Sequence, residues 1–134
     1  MPEPIIVPGR AADQPPIAAQ GQSFDLCEWT GSGPGYLHVH YADDEAWHVL
    51  EGSLVFRFLD GEREARAGTT VMVPAGVAHT FADPAGNARY LMILTPNLSR
   101  MIRELHQTPY ARHGEVLQRH NSAIVASPGQ APAR

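Results

Sequence analysis

The chain has 134 residues, a formal net charge of −4, 43% hydrophobic side chains and a single cysteine. That length suits one domain with its own core, the composition excludes a chain disordered throughout, and the interspersed charge excludes the basic footprint of a nucleic-acid binder. A lone Cys27 excludes an intrachain disulfide and no apolar run nears a membrane-spanning length, so a cytoplasmic protein without membrane contact is expected.

In chain order, residues 1–22 carry Pro2, Pro4, Pro8, Pro15 and Pro16, which exclude a helix of any length. MPEPIIVPGR has no basic region followed by an apolar one, so no signal peptide is expected. The segment reads as an extended arm that packs on the domain or on a partner subunit, with Ile5, Ile6 and Val7 as a short edge strand. A barrel is expected over 23–95. There the runs SFDLCEWT, YLHVHY, AWHVLEG, SLVFRFLDG, EREARAG, TTVMVPAG, HTFAD and ARYLMILT are strand-like and separated by turn signals. AWHVLEG and SLVFRFLDG read as a hairpin about Gly52 and Ser53. About eight strands without an intervening helix predict an all-β antiparallel sandwich or small barrel.

After Pro96 the period changes. Leu98, Met101, Ile102 and Leu105 form an amphipathic helix stripe, with Thr95 or Asn97 as cap and Pro109 as stop. A second helical piece is expected around 110–119, weakened by Gly114. The helical segment thus spans 96–120 and a tail 121–134, whose end SPGQAPAR is expected to be disordered. His106, His113 and His120 recur every seven residues, but Pro109 and Gly114 between them predict that they do not share a helix face, and no site is assigned to them.

The stretch YLHVHYADDEAWHVLEG, residues 36–52, carries the chemistry. On a strand His38 and His40 point to one face, with Tyr36 on the same side. Glu45 opens the next strand, where an antiparallel neighbour would bring its carboxylate beside them. Glu45 shares its face with Trp47 and Val49, and His48 falls on the other. Two readings stand at this point: ligands sharing a metal, or polar residues on a surface strand. GTTVMVPAGVAHTFAD, residues 68–83, adds a tight turn at Pro74 and Gly76 and then His79, and a fourth ligand delivered by a second strand pair is what a closed site would need.

These residues resemble the two motifs of the cupins. HVH at 38–40 is followed after four residues by Glu45 and after six more by Gly52; Gly68 is followed after five by Pro74-Ala75-Gly76 and after two more by His79. Two positions depart from the pattern. Ser32, flanked by Gly31 and Gly33, stands where the opening glycine is expected, and Asp83 replaces the closing asparagine. The resemblance implies a double-stranded β-helix, or jelly roll, with a short C-terminal helical segment. It also implies one divalent transition metal (Fe, Mn, Ni, Co, Cu or Zn) held by His38, His40, Glu45 and His79, and the turn at Pro74 and Gly76 aiming His79 inward. Glu45 is expected to double as a general base, as the dioxygenase members suggest. The helix and YARHGEV after it are similar to the tail of small quercetinase-like single-domain cupins.

Alternation places Tyr36, Trp47, Phe56, Phe81 and Met92 as candidate substrate-pocket walls, though the same residues equally serve to fill a barrel core. Tyr90, Met92 and Leu94 share a face whose direction the pattern leaves open. Arg57 is expected outside, pairing with Glu62 or Glu64, and Cys27 as a packed small side chain. The expected function is a metal-dependent oxygenase, dioxygenase-like, on a small organic substrate of aromatic or enol type, in a homodimer. A metal-dependent isomerase, cyclase or lyase, or a non-enzymatic binder of a small ligand, are the alternatives on the same scaffold.

Overall fold

The computed structural model describes residues 3–8 and 16–126. Among the described residues ten strands form two five-stranded antiparallel sheets. The strands are β1 (Ala18–Gln20), β2 (Asp25–Thr30), β3 (Leu37–His40), β4 (Glu45–Glu51), β5 (Ser53–Phe58), β6 (Gly61–Arg66), β7 (Thr70–Val73), β8 (His79–Ala82), β9 (Arg89–Leu94) and β10 (Ser122–Ala126). One sheet runs β1-β2-β9-β4-β7 and the other β10-β3-β8-β5-β6. This is the expected all-β double-stranded β-helix. Helix α1 (Pro96–His106), a 3-10 turn at Tyr110–Arg112 and helix α2 (His113–Arg119) follow β9 and lead into β10. Among the described residues no helix is long and apolar enough to cross a membrane.

Strict alternation builds the core. Glu45, Trp47 and Val49 of β4 are buried while Ala46, His48 and Leu50 are not, and β9 turns Tyr90, Met92 and Leu94 inward. Leu54 and Phe56 of β5 point in, and Phe58 is half-buried, its ring 6.3 Å from Phe56 with the Arg63 guanidinium 5.4 Å above it. Arg57 sits opposite Glu62 across the β5–β6 ladder. Each large side chain buried this way contributes about 1.5–3 kcal/mol.

Three local expectations are corrected. Ile5, Ile6 and Val7 form no strand and are exposed. Pro4 and Pro8 bracket them, and a three-residue ladder with its flanking donors removed has little to pair with. The edge strand is instead β1, which pairs with β2 inside the stretch expected to be an arm. Second, β4 and β5 are not a hairpin. The turn falls at Gly52, as the sequence indicates, but β4 pairs with β7 and β9 and β5 with β6 and β8. Gly52 has φ +68, and a Cβ there would lie 2.6 Å from the Asn87 carbonyl oxygen. A one-residue link in the left-handed region, pressed against the neighbouring loop, turns the chain from one sheet to the other. Third, the stretch expected as tail contributes β10, which pairs with β3. SPGQAPAR lies outside the described residues.

The helical segment follows its pattern closely. Thr95 caps α1: its Oγ1 accepts from the Leu98 N–H at 3.2 Å and donates to Asp43 Oδ1 at 2.8 Å. Pro96 takes the first helical position, where its missing N–H costs nothing. Leu98 and Met101 are buried, with Ile102 and Leu105 packed against the core. Asn97 Nδ2 donates to Asp43 Oδ2 at 2.8 Å, so the loop between β3 and β4 is tied to the start of α1 from both carboxylate oxygens.

The two departures from the cupin pattern meet in space. Ser32 Oγ accepts from the Asp83 N–H at 2.8 Å. The Asp83 carboxylate accepts from the N–H groups of Gly86, Asn87 and Ala88, an arrangement that closes the turn between β8 and β9. Gly33 donates to the Phe81 carbonyl at 3.0 Å, and a Cβ on it would lie 2.5 Å from the Phe81 ring. The loop therefore rests directly on Phe81.

Candidate metal centre

His38 and His40 stand on β3, and His79 opens β8 directly opposite His38. All three belong to one sheet. Glu45 opens β4 in the other. The carboxylate thus reaches the histidines from the facing sheet rather than from an antiparallel neighbour of β3. The physical reason is the short loop 41–44, which crosses between sheets instead of closing a hairpin. The turn before β8 is docked on the same strand: Gly76, at φ +89, donates to the His40 carbonyl at 2.7 Å, and Asp44 Oδ1 accepts from the Ala75 N–H at 2.9 Å.

All four side chains are buried, and one ligand atom from each lies within 4.8 Å of the others. An ion with bonds of ~2.1 Å separates opposite ligands by ~4.2 Å, so a small contraction brings all four onto one ion. Each ring spends Nδ1 on a neighbour. His38 Nδ1 donates to the Tyr36 carbonyl at 3.3 Å and His79 Nδ1 to the Val77 carbonyl at 2.9 Å. Ser122 Oγ donates to the His120 carbonyl at 3.1 Å and so accepts from His40 Nδ1 at 2.7 Å. These partners fix the tautomers and leave Nε2 of each ring as a lone pair for the centre.

That lone-pair arrangement is a test of fit. Glu45 Oε1 lies 3.1 Å from His79 Nε2 and 3.3 Å from His40 Nε2, yet His40 Nε2 is buried without a hydrogen-bond partner among the described residues. Acceptors facing acceptors in a buried site are costly unless a cation sits among them. The donor set, three imidazoles and one carboxylate, suits a divalent transition metal. The residues present could hold such an ion. The electrostatics agree. Burial, with His79 and His40 nearby, pushes the His38 imidazole down to about 3. Burial raises the Glu45 carboxyl, and the His40 and His79 rings, when they carry a proton towards it, outweigh that by hydrogen bonding and charge and hold it at about 2; with bare Nε2 atoms a cation among them would take that role. Both groups are thereby kept in the form a metal requires.

A cavity of about 480 Å³ ends on this cluster. His38 and Glu45 line its floor, Tyr36, Phe81 and Met92 its walls, and α1 and α2 supply much of the outer part. Trp47 and Phe56 are not among its lining residues. They lie one layer deeper, Trp47 at 5.4 Å and Phe56 at 5.8 Å from the Phe81 ring, where they fill core. Cys27 is half-buried and faces the cavity, its thiol pushed up by burial.

Two side chains at the site carry no sequence motif. Ser122, on β10, supports His40. His113, the first residue of α2, lines the cavity and lies 2.8 Å from the Tyr36 hydroxyl. The seven-residue histidine spacing was the available signal for the latter. As expected, the three do not act as one face: His106 also lines the cavity, stacked on Trp29, whereas His120 does not line it and bonds Asn97 and Glu104. Ser122→Ala is expected to weaken metal binding about tenfold, the loss typical of an outer-shell partner. A competitive chelator titration checks this, and an unchanged affinity would show that His40 needs no help from β10.

The model of the family described as the cupin domain matches residues 28–94. A cupin-2 domain protein from Shewanella frigidimarina is 26% identical, with a TM-score of 0.49 over 60% of this chain and 79% of that one. The polyketide cyclase RemF from Streptomyces resistomycificus is 28% identical, with a TM-score of 0.48 over 56% of each chain. A cupin protein from Bacteroides fragilis shares the fold at 12% identity, with a TM-score of 0.52 over 66% of this chain and 82% of that one. No curated protein matches this sequence. The matched stretch is half of the chain, runs from β2 through β9 and contains all four converging side chains, and the chain belongs to the cupin family.

Proposed function

We propose that this protein is a metal-dependent oxygenase, dioxygenase-like, that acts on a small and largely apolar organic substrate of aromatic or enol type. The observation that carries the proposal is the position of the cavity relative to the four ligands. His38 and Glu45 line it, whereas His40 and His79 do not. The ligand sphere is thus closed by protein on one side and open towards the cavity on the other. A bound redox-active metal would supply Lewis acidity and one-electron chemistry at that open side.

The chain's own residues do the rest. Phe81, Met92, Leu94 and Met101 give the substrate an apolar bed and exclude water. Glu45, ionised and facing the cavity floor, is placed to take a proton from a substrate hydroxyl or activated carbon lying over it. The tie between Asp43 and the start of α1 holds the cavity roof to the loop that delivers Glu45.

Metal analysis of protein purified without added metal, with oxygen uptake followed on flavonols and diketones, tests the proposal. Iron, copper, nickel or manganese with oxygen consumption is the expected result. Zinc with no uptake would overturn it in favour of an isomerase, cyclase or lyase. A stable, metal-free protein that retains a small ligand would leave a binding protein.

A further inference from the structure

Tyr36 and His113 meet in the cavity and belong to different parts of the chain. Tyr36 precedes β3, whereas His113 lies beyond the stretch that matches the cupin domain. His113 Nε2 lies 3.1 Å from the Thr108 carbonyl, which can only accept, so that nitrogen carries the proton. In the neutral ring Nδ1 is then a bare lone pair, and the Tyr36 hydroxyl donates to it at 2.8 Å. The phenol's single proton is thereby committed. What Tyr36 Oη has left for the cavity is acceptor capacity alone.

The pair is also rigidly held. The Tyr36 ring is 2% exposed and lies against His38, Tyr110 and His113 at centroid distances of 5.8, 5.7 and 5.9 Å. Rotating the hydroxyl towards a ligand would leave His113 Nδ1, in a half-buried ring, without its partner, which the protein resists.

We propose that Tyr36, locked as an acceptor by His113, is a specificity-determining subsite that selects ligands presenting an O–H or N–H donor over ligands of the same shape that can only accept. The subsite deepens the reading of the cavity as a substrate site and rests on it. It does not depend on which metal is bound, because the selecting atoms belong to Tyr36 and His113. Its specificity comes from leaving a buried acceptor unsatisfied when the wrong ligand enters.

The probes are 2-naphthol, which can donate, and 2-methoxynaphthalene, which cannot. Their affinities are measured by calorimetry on the full chain as purified and again after chelator treatment, so that a hydroxyl bound to metal cannot mimic the effect. The wild-type protein is expected to bind 2-naphthol about tenfold tighter in both states. Tyr36→Phe should abolish the preference. His113→Leu frees the phenol proton, and the preference should shift at least tenfold towards 2-methoxynaphthalene. Equal affinities in the chelated wild-type protein, an unchanged ratio in His113→Leu, or no binding of either probe would each overturn the proposal. A protein without oxygenase activity that keeps the preference would overturn the proposed reaction and leave the subsite standing.

Discussion

His79→Ala is expected to strip most of the metal from the protein while leaving it folded. His79 is 1% exposed and supplies one of the four converging ligand atoms, opposite His38 across the β3–β8 ladder. Removing it leaves two imidazoles and a carboxylate, and the vacated space is too polar to attract a replacement side chain. The cost to folding is a small cavity and an unpaired Val77 carbonyl, together a few kcal/mol. The strand itself stays in place. Gly76 still donates to the His40 carbonyl, and Phe81 still packs against Trp47 and Phe56.

Two measurements separate metal loss from unfolding. Elemental analysis of the purified variant should show a small fraction of the wild-type metal. The thermal midpoint of the wild-type protein should rise with added metal, by an amount equivalent to about 2.7 kcal/mol at a hundredfold excess over the dissociation constant, and that of the variant should not. Unchanged metal content in a folded His79→Ala protein would mean that the four side chains do not share one ion. The oxygenase reading would then lose its foundation while the jelly roll remained.

How much of this was legible in advance follows from the kind of signal each feature leaves. Alternation puts His38 and His40 on one face, but the full set of His38, His40, Glu45 and His79 could be chosen because the spacings in residues 38–52 and 68–79 resemble the two cupin motifs. Alternation says which face a residue takes. It does not say which sheet a strand joins, because a turn at Gly52 looks the same whether it closes a hairpin or carries the chain across the sandwich. For the same reason the direction from which Glu45 approaches was not readable, although its convergence was. Alternation also cannot separate layers on the inner face: Tyr36, Phe81 and Met92 reach the cavity, whereas Trp47 and Phe56 stop beneath it. Features built from distant pairing left least trace. Ser122 lies 82 residues from His40 and His113 lies 77 residues from Tyr36. Both depend on where a five-residue strand and a seven-residue helix dock, which no local pattern specifies.

Trp47→Ala is expected to cost about 4 kcal/mol of stability, and Trp47→Phe far less than the lost volume alone implies. The indole is fully buried, with ring centroids 5.0 Å from Phe56, 5.4 Å from Phe81 and 5.7 Å from His79. Truncation to alanine opens a cavity at the junction of the two sheets and removes three aromatic contacts, at the upper end of core truncations. The phenylalanine variant keeps most of the edge-to-face ring contacts. It also removes a liability, because Trp47 Nε1 is buried with no hydrogen-bond partner among the described residues, and burying such a donor costs about 1–3 kcal/mol. The two terms oppose each other, so a net loss of about 1 kcal/mol is expected for Trp47→Phe. Urea unfolding of the metal-free proteins measures both differences. Chelator titration reads a second consequence: the alanine variant, with nothing behind His79, should bind metal more weakly, and the phenylalanine variant should match the wild type. Equal destabilisation by the two substitutions would show that the indole N–H is stabilising, which requires a partner for it inside the barrel.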